Sequence, residues 1–144
     1  EELYDLKNDP HETVNLAGDP KYNQTLLSLR KRLYEHMERS RDLGLIPEPI
    51  LEDLGKQYGS KYRILTQPEN MTMVRDLIEI IEAGESENIG LLLRGLEGKD
   101  PSVRYWAATW LGILTKTEAS TALIKVNSDP VAAVRIAAAL ASAA

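Results

Sequence analysis

Few side chains in these 144 residues are of the types that carry out chemistry. There is no Cys, which removes thiol nucleophiles, thiolate metal sites and disulfides in one step. The two histidines, His11 and His36, are far apart in sequence and show no metal-ligand spacing. His11 falls in a turn. His36 reads as a partly exposed helix residue. The carboxylate pairs Glu1-Glu2 and Glu52-Asp53 are sequence neighbours and read as solvated. Gly95-Leu96-Glu97-Gly98-Lys99 lacks the spacing of a phosphate-cradling loop. No nucleophile, base and orienting group assemble into a set. No catalytic, cofactor-binding or metal-binding residue is therefore assigned in this chain. Arg104 and Arg135 each follow an Asp-Pro helix start. They read as bridges to a neighbouring repeat's Asp or carbonyl, with an anion-binding ladder as the alternative.

Charge narrows the partners. The formal net charge is −5, with twelve acids and ten bases in residues 1–66 and ten acids and seven bases in 67–144. The densest basic run, Arg30-Lys31-Arg32 with Arg39 and Arg41, is interrupted by Glu35 and Glu38. It reads as a solvated helix face rather than a nucleic-acid surface, since it lacks interleaved stacking groups. No apolar run approaches the ~20 residues of a membrane span, and no signal peptide is visible at the first residue given. Neither nucleic acid nor membrane is expected as a partner. Asn23-Gln24-Thr25 and Asn70-Met71-Thr72 match the glycosylation triplet by spacing alone.

The elements that would position these groups are mostly helical. Residues 2–6 are β-prone and end in the turn Lys7-Asn8-Asp9-Pro10, so a short strand is expected there. A lone strand needs a partner, and no second convincing one follows. Asp19-Pro20 is a helix start, with Asp as cap and Pro at the first turn. Tyr22, Leu26, Leu29, Leu33 and Met37 then form one apolar stripe on a helix expected to reach about Arg41. Gly44, Pro47 and Pro49 make a connector. Residues 50–57 suit a short helix, and 58–66 read as loop. Thr66-Gln67-Pro68-Glu69 fits a capping box for a helix ending at Gly84. Ile89, Leu92, Leu93 and Leu96 mark the next, ending at Gly98.

The last stretch repeats. Asp100-Pro101 precedes Val103-Arg104-Tyr105-Trp106-Ala107-Ala108, and Asp129-Pro130 precedes Val134-Arg135-Ile136-Ala137-Ala138-Ala139. Ala119, Ala122, Leu123 and Val126 mark a helix between them. A helix–helix unit recurring near 30 residues is the pattern of an α-solenoid. The small residues let helices approach closely. The pattern over residues 68–144 resembles HEAT-like repeats, which implies a scaffold or interaction surface.

The first segment carries a second resemblance. Glu2 to Leu6, Asp9, Pro10, Glu12 and Asn15 to Ala17 are similar to the C-terminal signature of the sulfatase family, E-L-Y-D-L, D-P-x-E and N-L-A in that order. The connector Arg41 to Glu48 followed by HEAT-like repeats is similar to the tails of some bacterial sulfatases. The resemblance implies a parent that hydrolyses sulfate esters or sulfamates. It implies a formylglycine made from the Cys or Ser of C/S-x-P-x-R, with calcium beside it, in a catalytic domain upstream. The nearest string here, Ser128-Asp129-Pro130-Val131-Ala132, has Ala where the Arg belongs and falls at a helix start, so no catalytic position carries over.

The expected architecture is a short N-terminal strand and long helix, followed by an incomplete HEAT-like solenoid. Its boundaries are 1–48 for the sulfatase-like segment, 49–67 for the connector and 68–144 for the repeats. The chain opens without Met and closes at Ala144, and it reads as part of something longer. The expected partner is the parent's catalytic domain or a protein held by the repeats, with no cofactor in this chain. An independent helical-repeat binding module is the alternative.

Overall fold

The computed structural model describes residues 1–114 and 119–143. Ala144, where the sequence places the open end of the array, lies outside them. The chain divides into two compact units, residues 1–40 and residues 41–144.

In the first unit the expected strand at residues 2–6 does not form, and no strand occurs among the described residues. The physical reason is the partner. A strand needs a backbone ladder, and here the extended piece meets only one backbone group, Leu16 N–H donating to Leu3 C=O at 2.8 Å. The Asn15 side chain supplies the rest. Its Oδ1 accepts from Leu3 N–H at 3.0 Å, and its Nδ2 donates to Glu1 C=O at 3.1 Å.

Asp19 caps the following turn by accepting from Lys21 N–H at 2.9 Å. A single 3-10 turn, Pro20–Tyr22, leads into helix α1, Asn23–Ser40. Arg41, at φ 57°, terminates it in the left-handed region. Glu1 is tied to α1 through a forked contact with Arg30, 2.8 Å at Nε. The stripe on α1 is helical as expected, but only Met37 is buried. Leu29 and Leu33 remain 44% and 54% exposed.

In the second unit α2 spans Glu48–Tyr58 and ends at Gly59, whose φ of 79° favours a residue without Cβ. Residues 61–66, expected as loop, form a 3-10 helix that packs against α2 and buries Ile64 and Leu65. The expected capping box at Thr66 is not made. The Thr66 hydroxyl donates to Arg63 C=O instead, a second 3-10 turn covers Pro68–Asn70, and α3 runs Met73–Glu85. Then come α4 (Ile89–Gly95), α5 (Pro101–Ile113), α6 (Ser120–Val126) and α7 (Ala132–Ala143).

Helices α3, α5 and α7 stack side by side. Helix α4 lies against α3 and α5, and α6 against α7. The core is aliphatic and small: Leu77, Leu92, Ala107, Ala108, Leu111, Val134 and Ala138 are at most 1% exposed.

Glycines set the helix spacing. A Cβ on Gly84 would fall inside the Trp110 ring. One on Gly112 would lie 2.7 Å from Ala141 Cα, and one on Gly95 only 2.5 Å from Ile80 Cδ1. Gly84 is therefore a contact inside α3, not the stop that its residue type suggests. Likewise α4 ends at Gly95 rather than at Gly98.

Candidate functional site

The residues with chemistry-capable side chains fall into three places. The first is the N-terminal turn of the first unit. Asp5 accepts from Lys7 N–H at 3.1 Å and from Asn8 Nδ2 at 2.7 Å. Asp9 accepts from Val14 N–H at 2.9 Å and from the Thr13 hydroxyl at 3.0 Å. The Asn8 amide holds the Asp5 carboxyl below its ordinary value, and the Val14 and Thr13 N–H groups do the same for Asp9. Glu12, at φ 54°, completes the reversal. His11 is exposed on this turn. His36 is exposed on α1, with Nδ1 3.4 Å from Arg39 Nη2.

The second place is the junction between repeats. The Arg104 guanidinium donates to both Asp129 carboxylate oxygens, 2.7 Å from Nε and 3.1 Å from Nη2. Its Nη1 donates to the carbonyls of Gly98 and Lys99, each at 2.8 Å. Arg135 repeats the local half of this pattern, donating to the carbonyls of Asp129 and Pro130 at 2.7 and 3.1 Å. Arg104 thus bridges to the next repeat as expected, whereas Arg135 bonds only carbonyls of its own helix start. Asp129 also accepts from Val131 N–H at 2.8 Å, in the turn that precedes α7. Burial pushes its carboxyl up. The Arg104 hydrogen bonds, the Val131 N–H and the charges of Arg104 and Arg135 together outweigh burial and hold it below the usual value.

The third place is a cleft of about 610 Å³ in the second unit, between α2, the 68–70 turn, α3 and the start of α5. Leu54, Met73, Ile80, Leu91 and Val103 give it an apolar floor. Asp100 lines it and caps α5, accepting from Ser102 N–H at 2.7 Å. Burial pushes the Asp100 carboxyl above its ordinary value, against the pull of the Ser102 N–H, and the charge of Asp76 adds to the rise. Asp76 also lines the cleft and accepts from the Thr72 hydroxyl at 2.9 Å. Asn70, only 8% exposed, donates its Nδ2 to Ile64 C=O at 2.9 Å. That bond occupies the amide nitrogen which the Asn70-Met71-Thr72 triplet would need for glycosylation.

The sequence marks Asp100 as a cap but gives no sign of the cleft. Asp76 and Asn70 reach it through tertiary packing, and neither belongs to a spaced motif. Trp106 is another case. Its Nε1 donates to Leu45 C=O at 2.7 Å, pinning the connector to α5 across 61 residues of chain. Its ring meets Tyr105 edge-on at 5.5 Å.

Among the described residues no three His, Asp or Glu side chains converge to hold a metal ion. The described residues thus offer no such site for a calcium ion, which the sulfatase resemblance places in a catalytic domain upstream. No helix among the described residues is long and apolar enough to cross a membrane.

Stacked helix pairs, Asp-capped starts and an inter-repeat Arg–Asp bridge define an α-helical repeat protein. The family model for HEAT repeats matches residues 70–143, half of the chain. The chain belongs to the HEAT-repeat family.

It is also similar in part to sulfatases. It is 52% identical over 42 residues to the Delta 4,5-hexuronate-2-O-sulfatase of Bacteroides thetaiotaomicron, covering 29% of this chain and 9% of that protein. It is 43% identical over 53 residues to the human N-sulphoglucosamine sulphohydrolase, covering 36% and 11%. It is 44% identical over 51 residues to the ulvan-active sulfatase of Formosa agariphila, covering 35% and 9%. The matched stretch is thus about a tenth of each of these relatives. No solved structure matches the chain.

Proposed function

We propose that this chain is the C-terminal region of a sulfatase-type hydrolase, non-catalytic by itself, joined to HEAT repeats. The observation that carries the reading is the 43–52% identity to three sulfatases over 42–53 residues. The E-L-Y-D-L, D-P-x-E and N-L-A signature of residues 2–17 supports it. So does the first unit itself, whose helix α1 leaves Leu29 and Leu33, one turn apart on the same face, exposed. An apolar helix face of that kind is suited to packing on a larger domain. The parent's formylglycine and calcium chemistry belongs to that domain. The role of this chain is to pack against it, with the HEAT repeats as an interaction scaffold.

The test has two arms. The full gene product should carry C/S-x-P-x-R upstream of Glu1 and hydrolyse an aryl sulfate or a sulfamate. The present chain, purified alone, should not, with or without calcium. A gene product without the motif sinks the sulfatase reading and leaves an independent HEAT-repeat binding module. Turnover by the isolated chain that survives repurification overturns its non-catalytic role.

A further inference from the structure

The junction of α5 with α7 repeats that of α3 with α5, with one component removed. Arg104 and Arg135 fix the register, because each donates through Nη1 to the carbonyls five and six residues before it. In that register Ile136, Ala137, Leu140 and Ala141 of α7 stand where Tyr105, Trp106, Thr109 and Trp110 stand in α5. Both junctions close on a glycine. Trp110 lies over Gly84 of α3, and Ala141 lies over Gly112 of α5. Trp106 is one turn before Trp110, on the same face. The two indoles of the first junction are thus replaced by two methyl groups at the second.

The space they leave is a groove of about 350 Å³, lined by α5 and α7 alone. Ile113, Ile136 and Leu140 stand exposed around it, and no charged side chain among the described residues lines it. The Thr109 hydroxyl is already used, donating to Tyr105 C=O at 2.9 Å. An open groove with such walls calls for an uncharged, apolar guest.

The neighbouring junction indicates which one. There the connector crosses α5, held by the bond from Trp106 Nε1 to Leu45 C=O, with Ile46 buried. The Trp106 ring meets Tyr105 edge-on, and Tyr105 is a wall of the groove. The surface that the connector covers is therefore continuous with the open groove across one aromatic pair. At the first junction the fold supplies both an apolar connecting segment and the indoles beneath it. At the second it supplies neither.

We propose that the α5–α7 groove seats a tryptophan side chain, carried by an apolar segment of a partner protein, in the place that the α5 indoles take at the preceding junction. An aromatic ring has the most area to bury against such aliphatic walls. The site rests on the scaffold role given to the HEAT repeats above. It is independent of the sulfatase half of that reading, which hydrolysis by the full gene product tests separately.

The test is a titration of the full 144-residue chain, followed by amide NMR, with acetyl-Lys-Leu-Trp-Leu-Lys-amide. Acetyl-Lys-Leu-Ala-Leu-Lys-amide carries the same charge and serves as the comparison titrant. The tryptophan peptide should give saturable shifts at Tyr105, Gly112, Ile136 and Leu140. The alanine peptide should bind at least about tenfold more weakly, a loss typical of truncating an aromatic anchor. Ile113→Gln and Leu140→Gln, both at exposed positions, should leave the melting temperature nearly unchanged and weaken the tryptophan peptide severalfold. Should either variant unfold, the comparison of the two peptides on the unmodified chain decides. The proposal is overturned by equal binding of the two peptides, by shifts that map elsewhere, or by no saturation at about 10 mM peptide. It is also overturned if the same amides shift on dilution of the chain alone, which would make a second copy of the chain the occupant.

Discussion

At the scale of single residues, Asp129 and Asp100 should respond oppositely to the same substitution. The folded state holds the Asp129 carboxyl below its unfolded value, so its contribution is fully present above about pH 3.9 and is lost as pH falls through the folded value. The Asp100 carboxyl is held above its unfolded value, so ionised Asp100 costs stability at neutral pH. That cost is relieved as pH falls through its folded value. Asp129→Asn should therefore lower stability at pH 7 by about 1–3 kcal/mol, the price of a weakened charged hydrogen-bond pair. Asp100→Asn should raise stability at pH 7, with the advantage vanishing toward pH 4. Urea unfolding of both variants at the two pH values checks this; a stabilised Asp129→Asn would sink the account. The helix starts at Asp19-Pro20 and Asp100-Pro101 and the bridging role of Arg104 were legible in the sequence, because capping and the repeat offset are local; Asp129-Pro130 falls short of its helix, which begins at Ala132. The difference between the two aspartates was not. It depends on which carboxylate a guanidinium 25 residues away reaches, and on how much of each is buried.

At the scale of elements, periodicity located the helices and misread some of their ends. The apolar faces of α3, α4 and α5 stand out because burial repeats every three to four residues. Glycine misled because its two uses look alike in sequence. Gly84 and Gly98 both read as stops, yet Gly84 is buried under Trp110 and its helix continues to Glu85. The residue that takes the left-handed conformation beyond α3 is Glu87, at φ 52°. The expected strand failed for a related reason. Residues 2–6 have strand chemistry, but pairing depends on a neighbour that sequence cannot supply, and Asn15 takes that place.

The packing glycines give a clear prediction. Replacing a solvated helix glycine by alanine gains up to about 1 kcal/mol of propensity, so Gly90→Ala, with only ordinary contacts nearby, should be stabilising. Gly112→Ala meets the α7 backbone at Ala141, which is unable to rotate away. Overpacking there should cost about 1–3 kcal/mol and outweigh the propensity gain. Thermal melts of the two variants should shift in opposite directions. Trp106→Phe keeps most of the ring but loses the bond to Leu45 C=O, and should cost about 1 kcal/mol by urea unfolding.

At the scale of the molecule, the two units invite different expectations. The HEAT unit has its own buried aliphatic core, with Leu77, Leu92 and Leu111 at most 1% exposed, although Ile113, Ile124, Ile136 and Leu140 stay 61–69% exposed. The first unit leaves much of its apolar stripe in water, with Leu29 and Leu33 at 44% and 54% exposure. In a chain that stood alone, such leucines would add little to stability, because surface substitutions away from packing move it by under about 0.5 kcal/mol. In a chain that covers a catalytic domain, the same leucines lie at an interface and dominate association. Leu29→Ser with Leu33→Ser should thus leave the melting temperature of the isolated chain nearly unchanged. In the full gene product the double variant should loosen the packing of this region, read as faster amide exchange along α1 and a lower melting temperature of the hydrolase. A large stability loss in the isolated chain would mean the stripe is used within the chain itself. No change in the full product would remove the catalytic domain as its cover.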